Sequence, residues 1–278
     1  MAHVDLPAAG DRDTRTSVPP NSESMPRILV TREEPEPLSA AVRMAHGEPV
    51  ELPLLTTRRL AFELPRRLED YDWIAFTSPR ALEALGAKSR AAGWSWPPQV
   101  RAAAVGDRTA HELQAGGWMP ECVSEDASAR GLVESLQQRS RAGTRILFPC
   151  SAIAEPTFPE GMRAVGAMVD VVHVYTTEPI WTEHPEEKSR LGQRFAEEMQ
   201  RGCVITCASP SAARAMVELA RDAGVLRRLQ RAVLVAMGPT TTRAAESLGL
   251  QVVDAGAKNL AALARKAVEI SLRGLVKE

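Results

Sequence analysis

Two apolar segments of the chain each run directly into a serine followed by a proline, at Ser78-Pro79 and at Ser209-Pro210. A serine hydroxyl at the N-cap and a proline at the first helical position are the preferred start of a helix. The unpaired N–H groups at such a start can also bind carboxylates. Capping alone explains the pattern, and the hypothesis of an anion-binding role for both serines stays open beside it.

A second pair of turns carries glycine and threonine, at Gly106–Thr109 and Gly238–Thr241. Glycine permits a positive φ or a close backbone approach, and a threonine hydroxyl can cap a helix or reach a ligand. Neither turn matches the dinucleotide fingerprint or the P-loop. In open α/β sheets, ligands bind at loops on the carboxyl ends of the strands. Two such edges in one chain predict a cleft between two units.

Arginines cluster beside these turns. Any one of these arginines is explained as a solvated residue on a helix face. Five of them near the sheet edge where a ligand is predicted are more than a random distribution along the chain would place there. A planar guanidinium binds a carboxylate in a bidentate manner, so the cluster favours an anionic ligand. The five are Arg32, Arg80, Arg108, Arg214 and Arg243.

Tyr175 is one of only two tyrosines and lies in an extended segment of alternating hydrophobicity. One interpretation is an ordinary half-buried strand tyrosine. The other is a phenol that faces the cleft and donates a proton to a departing hydroxyl. The sequence contains no Ser/His/Asp or Cys/His set that would predict a nucleophile. The reaction is therefore expected to depend on shape and hydrogen bonding.

Composition excludes several classes of function. The formal net charge is −1, so the chain lacks the excess of basic residues that is typical of a nucleic-acid-binding protein. If the substrate is anionic, the positive charge that attracts it must be local to the site. No apolar run is long enough for a transmembrane helix. Residues 1–25 lack the apolar core of a signal peptide, and their polar, proline-containing composition predicts a disordered tail.

The cysteines and histidines predict neither disulfides nor a metal site. Cys203 and Cys207 have the same parity in an apolar run, where a strand would separate them by about 13 Å, too far for a disulfide. The five histidines show no metal-ligand spacing. We therefore expect buried thiols, no metal or cofactor, and a reducing cytoplasmic environment.

The chain contains an internal repeat of one α/β unit. Short apolar runs alternate with amphipathic stretches, which predicts parallel sheets covered by helices. Three segments of the first part recur later in the same order. Arg27–Val30 recurs as Arg145–Phe148, Ile74–Pro79 as Ile205–Pro210, and Val105–Thr109 as Met237–Thr241.

Two further extended segments, 50–57 and 171–177, occupy equivalent places in the repeat and each contain a Thr-Thr pair. They permit two organisations. In one, the two segments are ordinary strands of two contiguous tandem domains. In the other, the chain leaves one domain, builds the second and returns, and the two segments are the crossings.

In combination, these segments resemble the uroporphyrinogen-III synthase family. The resemblance extends from about Arg27 to about Val276 and includes Gly249-Leu250 before the last helical pattern. The segments that carry it are Arg27–Arg32, Asp72–Ser78, Ala104–Ala110, Val172–Thr177 and Ala236–Thr241.

The resemblance implies two similar parallel-sheet α/β domains joined by a two-stranded β-ladder, with the active site in the interdomain cleft. It favours the organisation with two crossings. The expected bounds are a tail at 1–25, one domain at 26–52 and 177–278, the other at 57–170, and linker strands at 53–56 and 171–176.

The family activity implied is the dehydrating cyclisation of hydroxymethylbilane to uroporphyrinogen III, with inversion of ring D through a spiro intermediate. The family needs no cofactor and no metal, and we expect a cytoplasmic monomer without nucleic-acid or membrane partners. By position, Thr109, Tyr175 and Thr241 match the family's cleft-facing residues, and the tyrosine is the candidate catalytic donor.

The remaining expected substrate contacts come from turns and helix starts. Hydroxyls near the substrate carboxylates are implied at Ser78, Ser209 and Ser211. Arg32, Arg80, Gly106 and Gly238 complete the candidate set, and Arg80 stands where many family members carry asparagine or a small residue.

A rival hypothesis is a non-catalytic two-domain ligand-binding or sensory module on the same scaffold. Such a module needs the cleft but no proton donor at Tyr175. An assay of hydroxymethylbilane turnover, with the isomers of the oxidised product resolved, separates the two hypotheses.

Exhaustive treatment with EDTA should leave turnover of hydroxymethylbilane unchanged, because the sequence offers no metal-ligand spacing. The measurement is the rate of porphyrinogen formation before and after chelation and gel filtration. Loss of the rate, followed by recovery with one added metal ion, would contradict this expectation.

Overall fold

The structure is a computed structural model, and it describes residues 25–93, 95–257 and 259–274. All but the last residue of the predicted tail, 1–25, therefore lies outside the described residues. None of the described helices is long and apolar enough to cross a membrane.

The first sheet has five parallel strands, contributed by both ends of the chain. Their order across the sheet is β11-β10-β9-β1-β2. The strands are β1 (Arg27–Val30), β2 (Glu48–Glu51), β9 (Val204–Cys207), β10 (Val233–Ala236) and β11 (Gln251–Asp254).

The second sheet has six strands from the middle of the chain, in the order β3-β8-β7-β4-β5-β6. All neighbours are parallel except β3 and β8. The strands are β3 (Leu55–Arg59), β4 (Trp73–Phe76), β5 (Arg101–Ala104), β6 (Pro120–Val123), β7 (Arg145–Ser151) and β8 (Met168–Pro179).

Ten α-helices of the described chain cover the faces of the two sheets. Those of the second sheet are α2 (Pro79–Ala92), α3 (Asp107–Ala115), α4 (Ala129–Gln137) and α5 (Thr157–Ala164). Those of the first sheet are α1 (Glu36–Met44), α6 (Pro185–Arg201), α7 (Pro210–Asp222), α8 (Leu226–Arg231), α9 (Pro239–Ser247) and α10 (Leu260–Leu272).

The apolar strands are buried because each sheet has a helix layer on both faces. Successive side chains of a strand point to opposite faces, so Leu29 packs in the core with Phe195 of α6, whereas Ile28 packs in the opposite core with Leu263 of α10. The central strands β4 and β9 are buried at every position. This explains why they appear in the sequence as continuous apolar runs.

The strand orders confirm the internal repeat. Read from the ladder side, the two sheets have the orders β2-β1-β9-β10-β11 and β8-β7-β4-β5-β6. The repeated segments occupy equivalent places, since β1 corresponds to β7 and β9 to β4. The Val105–Thr109 and Met237–Thr241 segments follow β5 and β10, which also correspond. Strand β3 has no counterpart in the first sheet.

Strand β8 pairs with two partners that run in opposite directions. Its first part is parallel to β7, and residues 175–179 are antiparallel to β3. In that ladder Thr57 lies opposite Thr177, so the two repeated Thr-Thr pairs face each other. The antiparallel pairs lie further along each strand than the linkers expected at 53–56 and 171–176, because β8 leaves β7 only after Ser151.

A β-bulge lies where β8 changes partner. Cys150 pairs with His173 and Ser151 pairs with Tyr175, so Val174 is the extra residue. Val174 is fully buried in the core of the second sheet, and the carbonyl of Tyr175 accepts a hydrogen bond of 2.8 Å from the N–H of Ala152. A bulge of this kind redirects the side chain next to it. Here that side chain is Tyr175.

Candidate active site

The two sheets each have a topological switch point, where successive connections leave in opposite directions. In the first sheet it lies between β1 and β9, and in the second between β7 and β4. Ligands of open α/β sheets bind at this point, outside the carboxyl ends of the strands. The loops after these four strands are therefore the expected walls of a site.

Two adjoining cavities lie at these loops. The central cavity has a volume of about 580 Å³ and is lined by the loops after β1, β7, β9 and β10 and by the ladder. The side cavity, of about 460 Å³, lies between the loop after β1 and the starts of α2 and α3. Four residues line both cavities: Arg32, Glu34, Arg80 and Tyr175.

A larger groove, of about 890 Å³, lies elsewhere on the second half. It is lined by the segments that precede β4 and β5, at the amino ends of those strands. Size alone does not make it the better candidate, because the switch points and the predicted site residues are at the opposite edge.

The two predicted serine caps are confirmed. Ser78 Oγ accepts a hydrogen bond of 3.1 Å from the N–H of Arg80, and Ser209 Oγ accepts one of 3.2 Å from the N–H of Ala212. Ser209 and Ser211 also contact each other, at 2.9 Å between hydroxyl oxygens. Ser78 lines the side cavity, and the other two serines line the central cavity. Ser78 and Ser209 therefore both cap a helix and line a cavity of the candidate site.

Tyr175 is half-buried, and its ring packs against the core of the second sheet. It lines both cavities, and its hydroxyl forms no hydrogen bond within the described chain. The other tyrosine, Tyr71, differs, since its hydroxyl donates a hydrogen bond of 2.9 Å to Asp170. Burial and that carboxylate raise the pKa of Tyr71 far above its ordinary value.

The glycines and threonines predicted in the two glycine–threonine turns lie beside the cavities and not in their walls. Thr109 and Thr241 are 2% and 3% exposed, and neither lines the central or the side cavity. Gly106 and Gly238 are buried at the starts of α3 and α9 and line neither. These helices follow β5 and β10, one strand away from the switch points, which is why their neighbours Arg108 and Thr240 reach the cavities instead.

Three arginines at the site have no acidic partner among the described residues. Arg32 lines both cavities, Arg108 lines the side cavity and Arg214 lines the central cavity. Burial lowers the pKa of Arg32, and the positive charges of Arg108 and Arg80 act in the same direction, whereas Glu34 and Glu33 oppose it. The walls of the two cavities carry four arginines and five glutamates, so any positive field for an anionic ligand is confined to the neighbourhood of these three guanidinium groups.

The other two predicted arginines differ from these three. Arg80 is ion-paired with Glu33, with 2.6 Å between Nη2 and Oε2, and its Nη1 donates to Thr57 Oγ1 at 2.6 Å. Its charge is thus already compensated. Arg243 is exposed on α9 and lines neither cavity.

Several site residues were not predicted from the sequence. The loop after β7 contributes Ser151, Ile153 and Glu155 to the central cavity, and Ile153 is 48% exposed there. The repeat contained the signal for this loop, because Arg145–Phe148 matches the strand that precedes Arg32. Glu33 has no counterpart in the repeated motifs, and only its tertiary partners identify it.

The four cysteines are free and buried, and Cys207 ends β9, next to Ala208 in the wall of the central cavity. Burial raises the pKa of Cys150 to about 11 and those of Cys203 and Cys207 to about 12. It also raises the pKa of Cys122. A thiolate nucleophile is therefore disfavoured at neutral pH. Among the described residues, no group of three His, Cys, Asp or Glu side chains could hold a metal ion.

Together, fold and site define a class: two α/β units with one strand order, joined by an antiparallel ladder, with a cleft lined by arginines and glutamates at the carboxyl edges of their strands. Residues 36–264 match the family model described as "Uroporphyrinogen-III synthase HemD". The chain belongs to the uroporphyrinogen-III synthase family, whose members are lyases of tetrapyrrole biosynthesis.

Relatives and solved structures agree with this assignment. The chloroplastic uroporphyrinogen-III synthase of Oryza sativa is 29% identical over 247 residues, which are 84% of this chain and 76% of the rice protein. The synthase structure from Thermus thermophilus covers 90% of this chain and 99% of its own, with a TM-score of 0.59 and 19% identity. That from Helicobacter pylori covers 89% and 100%, with a TM-score of 0.60 and 14% identity. The two structures support the fold.

Burial of the thiols predicts that the native protein resists thiol reagents at neutral pH. We expect a chromogenic aromatic disulfide to modify almost none of the four cysteines within minutes, because neither the thiolate form nor access is available. All four should react after unfolding in guanidinium. Rapid modification of one native thiol would contradict the burial described above and would reopen the question of a cysteine nucleophile.

Proposed function

We propose that this chain closes hydroxymethylbilane to uroporphyrinogen III and that Tyr175 is the proton donor. The observation that carries the proposal is the position of the phenol. It lies at the junction of the two cavities, has no hydrogen-bond partner in the described chain, and shares both cavity walls with Arg32.

The first step needs a proton and little else. The phenol of Tyr175, directly or through water, protonates the departing hydroxyl, and water leaves. The electron pair of the pyrrole nitrogen forms the azafulvene, which is the electrophile. A phenol is a suitable donor for this step because the electron-rich pyrrole supplies the driving force and requires no strong acid.

The fold of the bound substrate then decides the product. Attack by the substituted carbon of ring D on the azafulvene gives the spiro intermediate. The older bond from that carbon to the bridge of ring C then breaks, which forms a second azafulvene on ring C, and the unsubstituted (free) carbon of ring D attacks it, so that ring D is inverted. The free carbon releases its proton at the final closure, so the proton consumed at the start is returned. Without positioning, direct closure at the unsubstituted carbon of ring D gives isomer I. Holding the reacting atoms together is therefore most of the catalysis.

We assign the carboxylates of the substrate to the arginines that have no acidic partner, Arg32, Arg108 and Arg214. The N–H groups at the starts of α2 and α7, beside Ser78 and Ser209, are further candidate donors. Apolar contact for a pyrrole ring is available at Ile153 and Leu55 in the central cavity. Arg80 is assigned a smaller part in binding, because Glu33 and Thr57 already occupy two of its donors.

We further propose a cytoplasmic monomer whose two domains have the bounds predicted from the sequence, 26–52 with 177–278 and 57–170. The sheet membership of β1, β2, β4–β7 and β9–β11 supports this division, whereas β8 (Met168–Pro179) belongs to the second sheet and crosses the bounds at 170 and 177. Four free cysteines fit a reducing compartment. Sedimentation at equilibrium tests the monomer, and limited proteolysis of the ladder segments tests the division.

Tyr175→Phe should lower turnover roughly 10²–10⁴-fold, the usual contribution of one positioned proton donor, with a much smaller effect on KM. Residual product should still be the III isomer, because the azafulvene can form unaided and the cleft still folds it. Single-turnover kinetics with resolved isomers measure both quantities.

Tyr71→Phe is the matched control: it removes a phenol far from the cavities and should reduce stability without changing turnover. A near-normal rate for the Tyr175 variant would show that Tyr175 is not the proton donor.

Arg32→Met should raise KM about tenfold or more, since a charge-assisted hydrogen bond is worth roughly 1.5–3 kcal/mol. Methionine retains apolar bulk at this half-buried position, so the thermal midpoint should change little. Arg243→Met provides the control, because it removes the same charge outside both cavities. Equal KM values for the two variants would remove Arg32 from the binding site.

A further inference from the structure

Glu33 is the acidic residue at the site with the most complete set of partners. Its Oε1 accepts a hydrogen bond from the backbone N–H of Thr57. Its Oε2 accepts one from Thr57 Oγ1 at 2.8 Å and one from Arg80 Nη2 at 2.6 Å. Arg80 also donates to Thr57 Oγ1, so the three side chains form a closed triangle. Each member is thereby fixed by the other two.

The triangle joins three elements that are far apart in sequence. Glu33 follows β1 of the first sheet, Thr57 lies in the ladder strand β3, and Arg80 lies in the first turn of α2 beside the second sheet. The hydroxyl of Thr57 also lies 3.3 Å from that of Thr177 on β8. Apart from pairs formed by Arg58 along the ladder, the ion pairs that join the two halves of the described chain are those of Arg80.

Partial burial makes this contact stronger than an ordinary surface pair. The Glu33 and Arg80 side chains are 25% and 37% exposed, so their attraction is less screened than that between fully solvated charges. Two of the donors of Arg80 are fixed on two different partners, which sets the plane of its guanidinium. Arg80 lies in the wall of both cavities next to Tyr175. The position of this wall therefore depends on Glu33.

We propose that Glu33 is a positioning residue that holds the two halves of the site at a fixed separation through Thr57 and Arg80, and thereby determines which isomer forms. This inference rests on the proposed function. Closure at the free carbon competes with attack by the substituted carbon, and the choice depends on how tightly the chain of pyrroles is folded. A wider cleft lets the uncatalysed closure compete, since a displacement of about 1 Å is enough to remove much of an orientation effect.

The test is the ratio of isomer I to isomer III in the product of Glu33 variants. Glu33→Ala removes the three hydrogen bonds that Glu33 accepts and leaves only that from Arg80 to Thr57. We expect the ratio to rise on the order of tenfold or more, since the bond from Arg80 alone is charge-assisted. Glu33→Gln keeps an acceptor for Thr57 but loses the charge, so its ratio should be intermediate. Thr57→Val removes the hydroxyl that Glu33 and Arg80 share, and valine keeps the strand propensity of this position in β3. The isomer ratio of this variant should also rise.

Glu183→Gln is the matched control. Glu183 pairs with Arg58 beside the ladder at 2.9 Å, both side chains are well exposed, and it lines neither cavity. The Glu183→Gln variant loses one negative charge near the same ladder, as Glu33→Gln does, and we expect its isomer ratio to equal that of the wild type. Thermal midpoints of all variants separate loss of folding from loss of positioning, and the Gln variant serves if the Ala variant fails to fold.

X-ray scattering gives an independent measure of the separation of the halves. We expect the radius of gyration of Glu33→Ala to increase, whereas that of Glu183→Gln should equal the wild-type value. Unchanged scattering and an unchanged isomer ratio in both Glu33 variants would overturn the positioning role. A wild-type protein that makes no III isomer would overturn the proposed function instead, and the scattering comparison would still decide whether Glu33 holds the halves together.

Discussion

The arrangement of β8 is the constraint on which the rest of the structure depends. One strand is parallel to β7 along its first part and antiparallel to β3 along its last part. The change of partner carries the chain from the second sheet back to the first. It also fixes Tyr175 from both sides, since this residue pairs with Ser151 in one ladder and with Arg59 in the other. The bulge at Val174 buries its own side chain and leaves the phenol in the cleft.

Charge at the site is divided between two kinds of arginine. Arg32, Arg108 and Arg214 have no acidic partner in the described chain, and the lowered pKa of Arg32 reflects its burial near other cations. An anionic ligand would relieve that cost, because opposite charge favours the protonated guanidinium. Arg80 is compensated by Glu33 and fixed in place. The first group is suited to binding, and the second is suited to maintaining the shape in which binding occurs.

The proposed mechanism explains why the sequence has no strong catalytic motif. In that mechanism the substrate supplies both the nucleophile and the electrophile, so the protein needs one proton donor and a cleft of the correct width. Burial keeps all four thiols protonated, and the partners of Glu33 occupy its carboxylate. The reactive groups that remain at the junction of the cavities are few. Their effect depends on distances between loops that belong to different sheets.

The sequence by itself determined the local features, because these follow from the order of neighbouring residues. The apolar runs predicted the buried strands, the repeat predicted one α/β unit present twice, and Ser-Pro pairs predicted the starts of α2 and α7. Tertiary structure alone decided which side chains share the cleft. Thr109 and Thr241 match the family motif, yet their side chains are buried one strand away from the switch points, whereas Ile153 and Glu33 come from loops without a motif. The physical reason is that a site between two sheets depends on the switch points and on the pairing of β3 with β8, which are contacts between residues far apart in the chain.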